Sequence, residues 1–177
     1  MPKKTTAVPA TPLDRFTQGT ETHIQDFLGS HPDTREGQAG YVFRVWAPNA
    51  KEVCLMGEFN GWDEHDHPMA PIGQGVWELF VPGLERYDTY KYMVYGRSGA
   101  DRAKADPFAF HAETRPGNGS KVYDLAGYRW GDDKWLEHRK NNPIYTAPLN
   151  IYEVHLGSWR RTGEGEFLSY RDMAQYL

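Results

Sequence analysis

The sequence predicts an immunoglobulin-like all-β sandwich followed by the first βα unit of a truncated (β/α)8 barrel. Apolar residues alternate with a period of two in several short segments between about 38 and 126. Turn residues separate these segments, and no helical pattern lies between them, as in a β-sandwich. A single buried-strand pattern followed by a short helical pattern occupies residues 150–177. These three observations predict the order of the two parts.

The region before the sandwich is predicted to be mostly irregular. Residues 1–20 are rich in Thr, Pro and Lys, a composition typical of a flexible tail. Residues 21–37 are predicted to hold a short helix and a lead-in, because Ile24, Phe27 and Leu28 follow helical spacing. The glycine and proline of 29–32 would end that helix.

The sandwich itself is predicted over residues 38–126. Four segments alternate apolar and polar residues, so every second side chain faces the core. The predicted inward faces are Tyr41, Phe43, Val45 and Ala47; Val53, Leu55, Gly57 and Phe59; Trp77, Leu79 and Val81; and Tyr90, Tyr92 and Val94. Further short strands are predicted near 102–105 and 121–125.

The C-terminal third is predicted to be a linker over 127–149 and the start of a truncated (β/α)8 barrel over 150–177. Residues 150–161 show the pattern of a buried strand that runs into a basic loop, and Ser169 opens a helical pattern resembling a capping box. A βα barrel needs about 250 residues, so one βα unit cannot close a core. Disorder or aggregation is therefore predicted beyond about residue 127, where the strand would expose an unpaired edge.

Composition restricts the partners and the compartment. A net charge of −4 argues against nucleic acid or an anionic membrane as a partner. No apolar run is long enough for a membrane helix, and no secretory signal is predicted. The single cysteine, Cys54, allows no internal disulfide and suits a reducing compartment. The expected location is the cytoplasm.

Catalytic and metal-binding patterns are weak in this sequence. His65 and His67 lack further ligands at metal-site spacing, so a structural loop is favoured over a metal site. Glu153 and His155 would share one strand face, either as an acid/base pair or, as we favour, as a buried structural pair. The acceptor pattern at 118–120 is interpreted as a turn rather than a glycosylation site. We predict no catalytic residue, metal ligand or cofactor in this chain.

Trp62 and Lys91 are the candidate carbohydrate-binding residues. Trp62 follows an Asn-Gly turn, so its ring is predicted either to cover the core or to form a platform on which a sugar ring stacks. Lys91 lies on the strand face opposite Tyr90 and Tyr92, where its ammonium group would donate hydrogen bonds to sugar hydroxyls.

Several motifs resemble the branching enzymes of glycoside hydrolase family 13, over residues 26–177. The motifs are Phe43-Arg-Val-Trp-Ala-Pro-Asn-Ala50, Gly57-Glu-Phe-Asn-Gly-Trp-Asp63, His67-Pro-Met69, Gly75-Val-Trp-Glu-Leu-Phe-Val-Pro-Gly83, Tyr90-Lys-Tyr92, Lys104-Ala-Asp-Pro-Phe-Ala-Phe110 and 151–161. The first two are similar to motifs of the β-sandwich called carbohydrate-binding module family 48. Tyr152-Glu-Val-His-Leu-Gly-Ser-Trp159 favours branching over debranching enzymes.

This resemblance implies an enzyme that forms α-1,6 branches in glycogen by retaining transfer of α-1,4-glucan chains. The Asp nucleophile and Glu acid/base of the family lie in its (β/α)8 barrel. None of those motifs falls within residues 1–177, so the chain alone is predicted to be inactive. Its implied partners are glycogen or another α-1,4-glucan and the missing C-terminal catalytic barrel.

The resemblance also implies that Trp62 and Lys91 match glycan-binding positions of the module. A second Trp, found in related modules in the loop after the Lys strand, is absent from the loop at 96–100. Two alternatives remain open: a freestanding glycogen-binding module, and a debranching or trehalose-releasing hydrolase of the same family.

Overall fold

A computed structural model describes residues 10–176. The chain divides into two compact units, Met1–Gly127 and Tyr128–Leu177. The predicted tail at residues 1–9, and the last residue of the predicted barrel start, lie outside the described residues. The two units are described separately.

The described part of the first unit forms nine strands in two antiparallel sheets. In chain order the strands are β1 (Gly29–Arg35), β2 (Gln38–Trp46), β3 (Ala50–Gly57), β4 (Ala70–Gly73), β5 (Val76–Pro82), β6 (Thr89–Gly96), β7 (Arg102–Lys104), β8 (His111–Ala112) and β9 (Ser120–Lys121). One sheet has the order β1-β2-β5-β4. The other has the order β3-β6-β9-β8, with β7 also paired to β6.

The core of the first unit lies between the two sheets. Its buried members come from both sheets and from their connections: Tyr41, Phe43, Val45, Ala50, Val53, Leu55, Met69, Val81, Tyr90, Tyr92 and Val122. Ala47, Phe59, Trp77, Leu79 and Val94 pack against this cluster. The inward faces predicted from the alternation of apolar and polar residues are therefore confirmed for β2, β3, β5 and β6. Glycine at position 57 is required because a Cβ there would lie 2.3 Å from the Thr89 carbonyl oxygen.

The sandwich begins nine residues earlier than the predicted start at 38. The predicted lead-in over 21–37 contains β1, and only a 3₁₀ helix at Ile24–Asp26 replaces the predicted short helix. β1 pairs with β2 through a two-residue turn in which Glu36 and Gly37 both have positive φ, at 52° and 80°. β1 is a polar edge strand, where Pro32 is tolerated, so its residues lack the apolar alternation of a central strand.

The predicted flexible tail is wrong for residues 12–17, which form α1 (Pro12–Thr17). Thr11 caps this helix: its hydroxyl accepts a hydrogen bond from the Asp14 amide, and the Asp14 carboxylate accepts one from the Thr11 amide. Leu13 is buried with Leu28 and Val76 in a second small cluster. Phe16 of the same helix packs against this cluster. Burial of these apolar side chains fixes a segment whose composition alone suggested a flexible tail.

The described part of the second unit contains α2 (Asp133–Asn141), α3 (Leu156–Trp159) and α4 (Tyr170–Met173). α2 agrees with the helical character predicted for the linker, and Ser169 caps α4 by accepting a hydrogen bond from the Asp172 amide. The predicted buried strand after residue 150 is wrong: residues 151–155 are unpaired, and α3 follows directly. A strand needs a neighbour for its backbone groups, and none pairs with this segment among residues 10–176. A βα barrel unit is therefore not formed here.

No helix in the described part of the chain is both long enough and apolar enough to cross a membrane.

Candidate functional site

The loop that follows β3 presents Trp62 to solvent. A 3₁₀ helix at Glu58–Asn60 ends at Gly61, which has a φ of 63°, and Trp62 itself has a φ of 64°. The Trp62 side chain is exposed, at 40% of its possible surface, whereas Phe59 of the same motif packs against the core. Phe59, not Trp62, therefore covers the core, which leaves the indole ring available as a platform.

The side chain of Asn60 holds this loop in place. Its Oδ1 accepts a hydrogen bond from the Gly57 amide at 2.9 Å, and its Nδ2 donates to the carbonyls of Leu55 at 3.2 Å and Asp63 at 3.1 Å. The Trp62 amide also donates to the Gly57 carbonyl at 2.9 Å. The asparagine of the motif thus connects the end of β3 to the loop on both sides of Trp62. This contact explains why an Asn side chain suits that position.

Lys91 lies on the outer face of the second sheet, between the buried Tyr90 and Tyr92 on β6. Its Nζ donates a hydrogen bond to the Oδ1 of Asn118. Asn118 is exposed in the loop between β8 and β9. That loop is closed by Glu113, whose Oε2 accepts a hydrogen bond from the Gly119 amide at 2.6 Å.

Trp62 and Lys91 lie at the same end of the second sheet. Gly57 of β3 lies directly opposite Tyr90 of β6. The Gly57 carbonyl accepts a hydrogen bond from the Trp62 amide, and Tyr90 precedes Lys91 in the sequence. We call the surface formed by Trp62, Lys91 and Asn118 the Trp62 surface. Sequence reasoning missed Asn118 as a site residue, because only the fold brings it to Lys91, 27 positions away.

The Trp62 surface combines an exposed aromatic ring, an ammonium donor and a side-chain amide. An indole ring offers a flat apolar face, and the other two groups together donate and accept hydrogen bonds. A sugar ring presents the matching chemistry, with apolar C–H faces and hydroxyl groups at its rim. This arrangement suits binding; the three groups contain no nucleophile paired with a general base, as covalent catalysis requires.

The two histidines of the same loop have structural contacts. His67 Nδ1 lies 2.9 Å from Asp66 Oδ2 and 3.2 Å from Asn60 Nδ2, and its ring packs edge-on against Phe59. The His65 ring stacks on Tyr95, with Nδ1 3.0 Å from the Tyr95 hydroxyl. Within residues 10–176, no three His, Cys, Asp or Glu side chains come together in a possible metal site.

Glu153 and His155 do not form the predicted buried pair, since both are exposed. His155 Nδ1 instead lies 2.7 Å from the Ser158 hydroxyl, at the start of α3. The prediction depended on strand alternation, which does not apply because residues 151–155 are unpaired and a helix follows.

Comparison with known protein families identifies a match over the part of the chain that carries Trp62 and Lys91. Residues 27–109 match the family described as carbohydrate-binding module 48 (isoamylase N-terminal domain). Trp62 and Lys91 lie within the matched range, and Asn118 follows it.

The chain as a whole is related in sequence to branching enzymes. It is 47% identical over 169 residues to the 1,4-alpha-glucan branching enzyme GlgB of Rhodospirillum rubrum. The aligned residues cover 93% of this chain and 23% of the relative. It is 44% identical over 166 residues to GlgB of Butyrivibrio fibrisolvens, covering 92% and 26% of the two chains. The chain therefore spans about a quarter of the length of these relatives.

Among solved structures, part of the chain is similar to a pullulanase from Anoxybacillus sp. LM18-11 complexed with maltotetraose. The TM-score is 0.48 at 28% identity, over 57% of this chain and 14% of that one.

Proposed function

We propose that this chain supplies the glucan-binding module of a 1,4-alpha-glucan branching enzyme, and that the Trp62 surface binds α-1,4-glucan. The observation that carries the proposal is the exposed Trp62 ring at the same end of the second sheet as the Lys91–Asn118 hydrogen bond, in a chain whose residues 27–109 match carbohydrate-binding module 48. The 41–47% identity to GlgB proteins supports the choice of enzyme.

The proposed binding mode follows from the three side chains. The apolar face of a glucose ring stacks on Trp62, while Lys91 Nζ and the Asn118 amide exchange their mutual hydrogen bond for bonds to sugar hydroxyls. Lys91 and Asn118 already bond to each other in the free protein, so sugar hydroxyls that replace this bond add little net binding free energy. Most of the net affinity is therefore expected from the stacking contact.

In the whole protein, the module would hold a glucan chain close to the catalytic barrel. Tethering converts the encounter of a chain with the active site into an intramolecular event at raised effective concentration. The barrel would then cut an α-1,4-linked chain and transfer it to a 6-hydroxyl with retention. The acid/base pair would lie in the barrel, and we assign none to residues 1–177. A cytoplasmic location is part of the proposal, supported by the single buried Cys54 thiol.

The proposal is tested by native electrophoresis of the 177-residue chain through gels with and without glycogen. Trp62→Ala should lower the affinity by about tenfold, or about 1.4 kcal/mol, because the stacking platform is lost. Trp46→Ala is the matched control, since Trp46 is a similarly exposed Trp on the other sheet, at 49%. Its retardation should equal that of the unmodified chain.

Circular dichroism of each variant confirms that the sandwich is folded. Equal retardation of the Trp62→Ala variant and the unmodified chain would refute the assignment of the site. Absence of retardation for the folded unmodified chain would refute glucan binding by this module.

A further inference from the structure

A second aromatic surface lies on the module, outside the Trp62 surface. The rings of Tyr87, His111 and Tyr123 contact one another, with centroids 5.3 to 5.6 Å apart. The guanidinium group of Arg86 lies 4.0 Å from the centroid of the Tyr123 ring and donates a hydrogen bond to the Asp124 carbonyl at 2.6 Å. Tyr87 is 48% exposed despite these contacts. We call Tyr87, His111 and Tyr123 the Tyr87 cluster.

The backbone of Tyr87 is strained. Its φ of 82° lies in the region that favours glycine, and a bulky side chain there is an outlier that costs roughly 1–3 kcal/mol. Two hydrogen bonds hold it: the Tyr87 amide donates to the Val122 carbonyl at 2.8 Å, and Lys121 Nζ donates to the Tyr87 carbonyl at 3.4 Å. A glycine would adopt this φ without strain. We therefore interpret the tyrosine ring as the reason that a tyrosine occupies this position. Such residues are typical of ligand sites.

The Tyr87 cluster shares the outer face of the sheet with Lys91. Thr89 and Lys91 are two positions apart on β6 and point to the same side. Lys121 pairs with Thr89 on β6 and with His111 on β8, and directly opposed residues share a face. The ring of His111 is in turn part of the Tyr87 cluster.

The distance between the two surfaces suits one extended ligand. Lys91 is four positions after Tyr87, so their Cα atoms are at most about 14 Å apart. Asn118, which bonds to Lys91, lies in the loop that follows Ala112 of β8 and precedes β9. A linear chain of several sugar rings is long enough to contact both surfaces.

We propose that the Tyr87 cluster is a second stacking platform for the same glucan chain, so that the module selects linear α-1,4-glucan segments of several residues. This inference rests on the proposed function of the Trp62 surface. The exposed Tyr87 ring, with a guanidinium, an ammonium and an imidazole nearby, suits a polyhydroxylated ligand, because a stacking face and hydrogen-bond donors lie together. The platform takes the role of a second Trp, which the loop at 96–100 lacks.

The test is calorimetric titration of the 177-residue chain with maltotriose and with maltoheptaose. The unmodified chain should bind the longer sugar more tightly, because on this proposal its extra rings reach the Tyr87 cluster while others remain on the Trp62 surface. Tyr87→Gly should lower the affinity for maltoheptaose by roughly fivefold and leave the affinity for maltotriose unchanged. Glycine adopts a φ of 82° without strain, so this variant should keep its fold. Tyr87→Phe, which retains the ring, should bind both sugars like the unmodified chain.

The outcomes separate this inference from the function on which it rests. If the unmodified chain binds both sugars and Tyr87→Gly binds maltoheptaose equally well, the second platform is wrong and the Trp62 surface stands. Equal affinity of the unmodified chain for the two sugars would also overturn the second platform. If the folded unmodified chain binds neither sugar, both proposals are wrong.

Discussion

At Asp106, one buried carboxylate organises the core beneath the binding face. Its Oδ2 accepts hydrogen bonds from the hydroxyls of Tyr90 at 2.7 Å and Tyr92 at 3.1 Å, and its Oδ1 accepts one from the Phe108 amide at 2.8 Å. Burial raises the pKa of Asp106, and these hydrogen bonds oppose that shift. The two tyrosines flank Lys91, so this network also fixes the strand that carries the site residue.

We expect Asp106→Ala to lower the free energy of unfolding by about 2–4 kcal/mol, since two buried tyrosine hydroxyls lose their acceptor. Urea denaturation measures the loss. Adding Tyr90→Phe and Tyr92→Phe removes the unpaired hydroxyls and should recover part of it. A triple variant no more stable than Asp106→Ala would contradict the hydrogen-bond explanation.

The Cys54 thiol is a second residue-scale case. Burial, followed by the nearby Glu52 carboxylate, raises the pKa of Cys54 to about 11, and the side chain is fully buried. Only the thiolate reacts readily with disulfide reagents, so we expect slow labelling in the native state and complete labelling in denaturant. Measurement with Ellman's reagent tests this. Native labelling as fast as that of the denatured chain would contradict the expectation.

At the scale of elements, an ion-pair network connects three strands of the first sheet. Glu78 of β5 lies opposite Arg44 of β2, and its carboxylate oxygens are 2.6 Å from Arg44 Nε and 2.9 Å from Arg35 Nη2 of β1. Burial acts to raise the pKa of Glu78, but the bonds from Arg35 and Arg44 outweigh it and lower the pKa below its ordinary value of 4.5. The network thus fixes the edge strand that sequence patterning missed.

This lowered pKa sets the sign of a pH effect. The folded state favours the ionised Glu78, so its stabilisation is complete above the ordinary pKa of 4.5 and is lost as the pH falls through the lower folded value. Between pH 7 and pH 3 the free energy of unfolding should fall by roughly 1 kcal/mol less in Glu78→Gln than in the unmodified chain. Chemical denaturation at several pH values measures it, with Glu137→Gln on the exposed helix α2 as control. An unchanged pH profile for Glu78→Gln would refute the assignment.

At the scale of the whole molecule, the two hydrophobic clusters are formed by residues of the first unit. The members of both core clusters lie between Leu13 and Val122. In the second unit large apolar side chains are exposed, among them Tyr145 at 95% and Ile151 at 82%. The first unit therefore has its own hydrophobic core, as an independent domain requires.

We expect a chain ending at Gly127 to fold and to keep a melting temperature within a few degrees of that of the longer chain, since no core residue is removed. Thermal unfolding followed by circular dichroism tests this, and glycogen retardation should persist. Loss of cooperative unfolding in the shorter chain would contradict it. Disorder beyond residue 127 stays a prediction, and hydrogen exchange of the second unit measures it: rapid exchange is expected there.

The sequence by itself determined the central strands, their inward faces and the exposed turn at Asn60-Gly61. These features depend on neighbouring residues: strand geometry alternates side chains between two faces, and an Asn-Gly pair tolerates the backbone of a tight turn. The same reasoning placed Trp62 on a loop and Lys91 on the outer face, although their binding role stays a proposal.

Only the tertiary structure decided the edge strand β1, the docking of α1 through Leu13, the meeting of Lys91 with Asn118, and the unpaired segment at 151–155. The physical reason is common to all four. A polar edge strand is ordered by its neighbour, and a short helix by the cluster that its apolar side chains join. Lys91 meets Asn118 only because β6 and β9 pair, and a strand pattern without a partner leaves its backbone unpaired. These outcomes depend on contacts between residues distant in sequence, which local patterns do not contain.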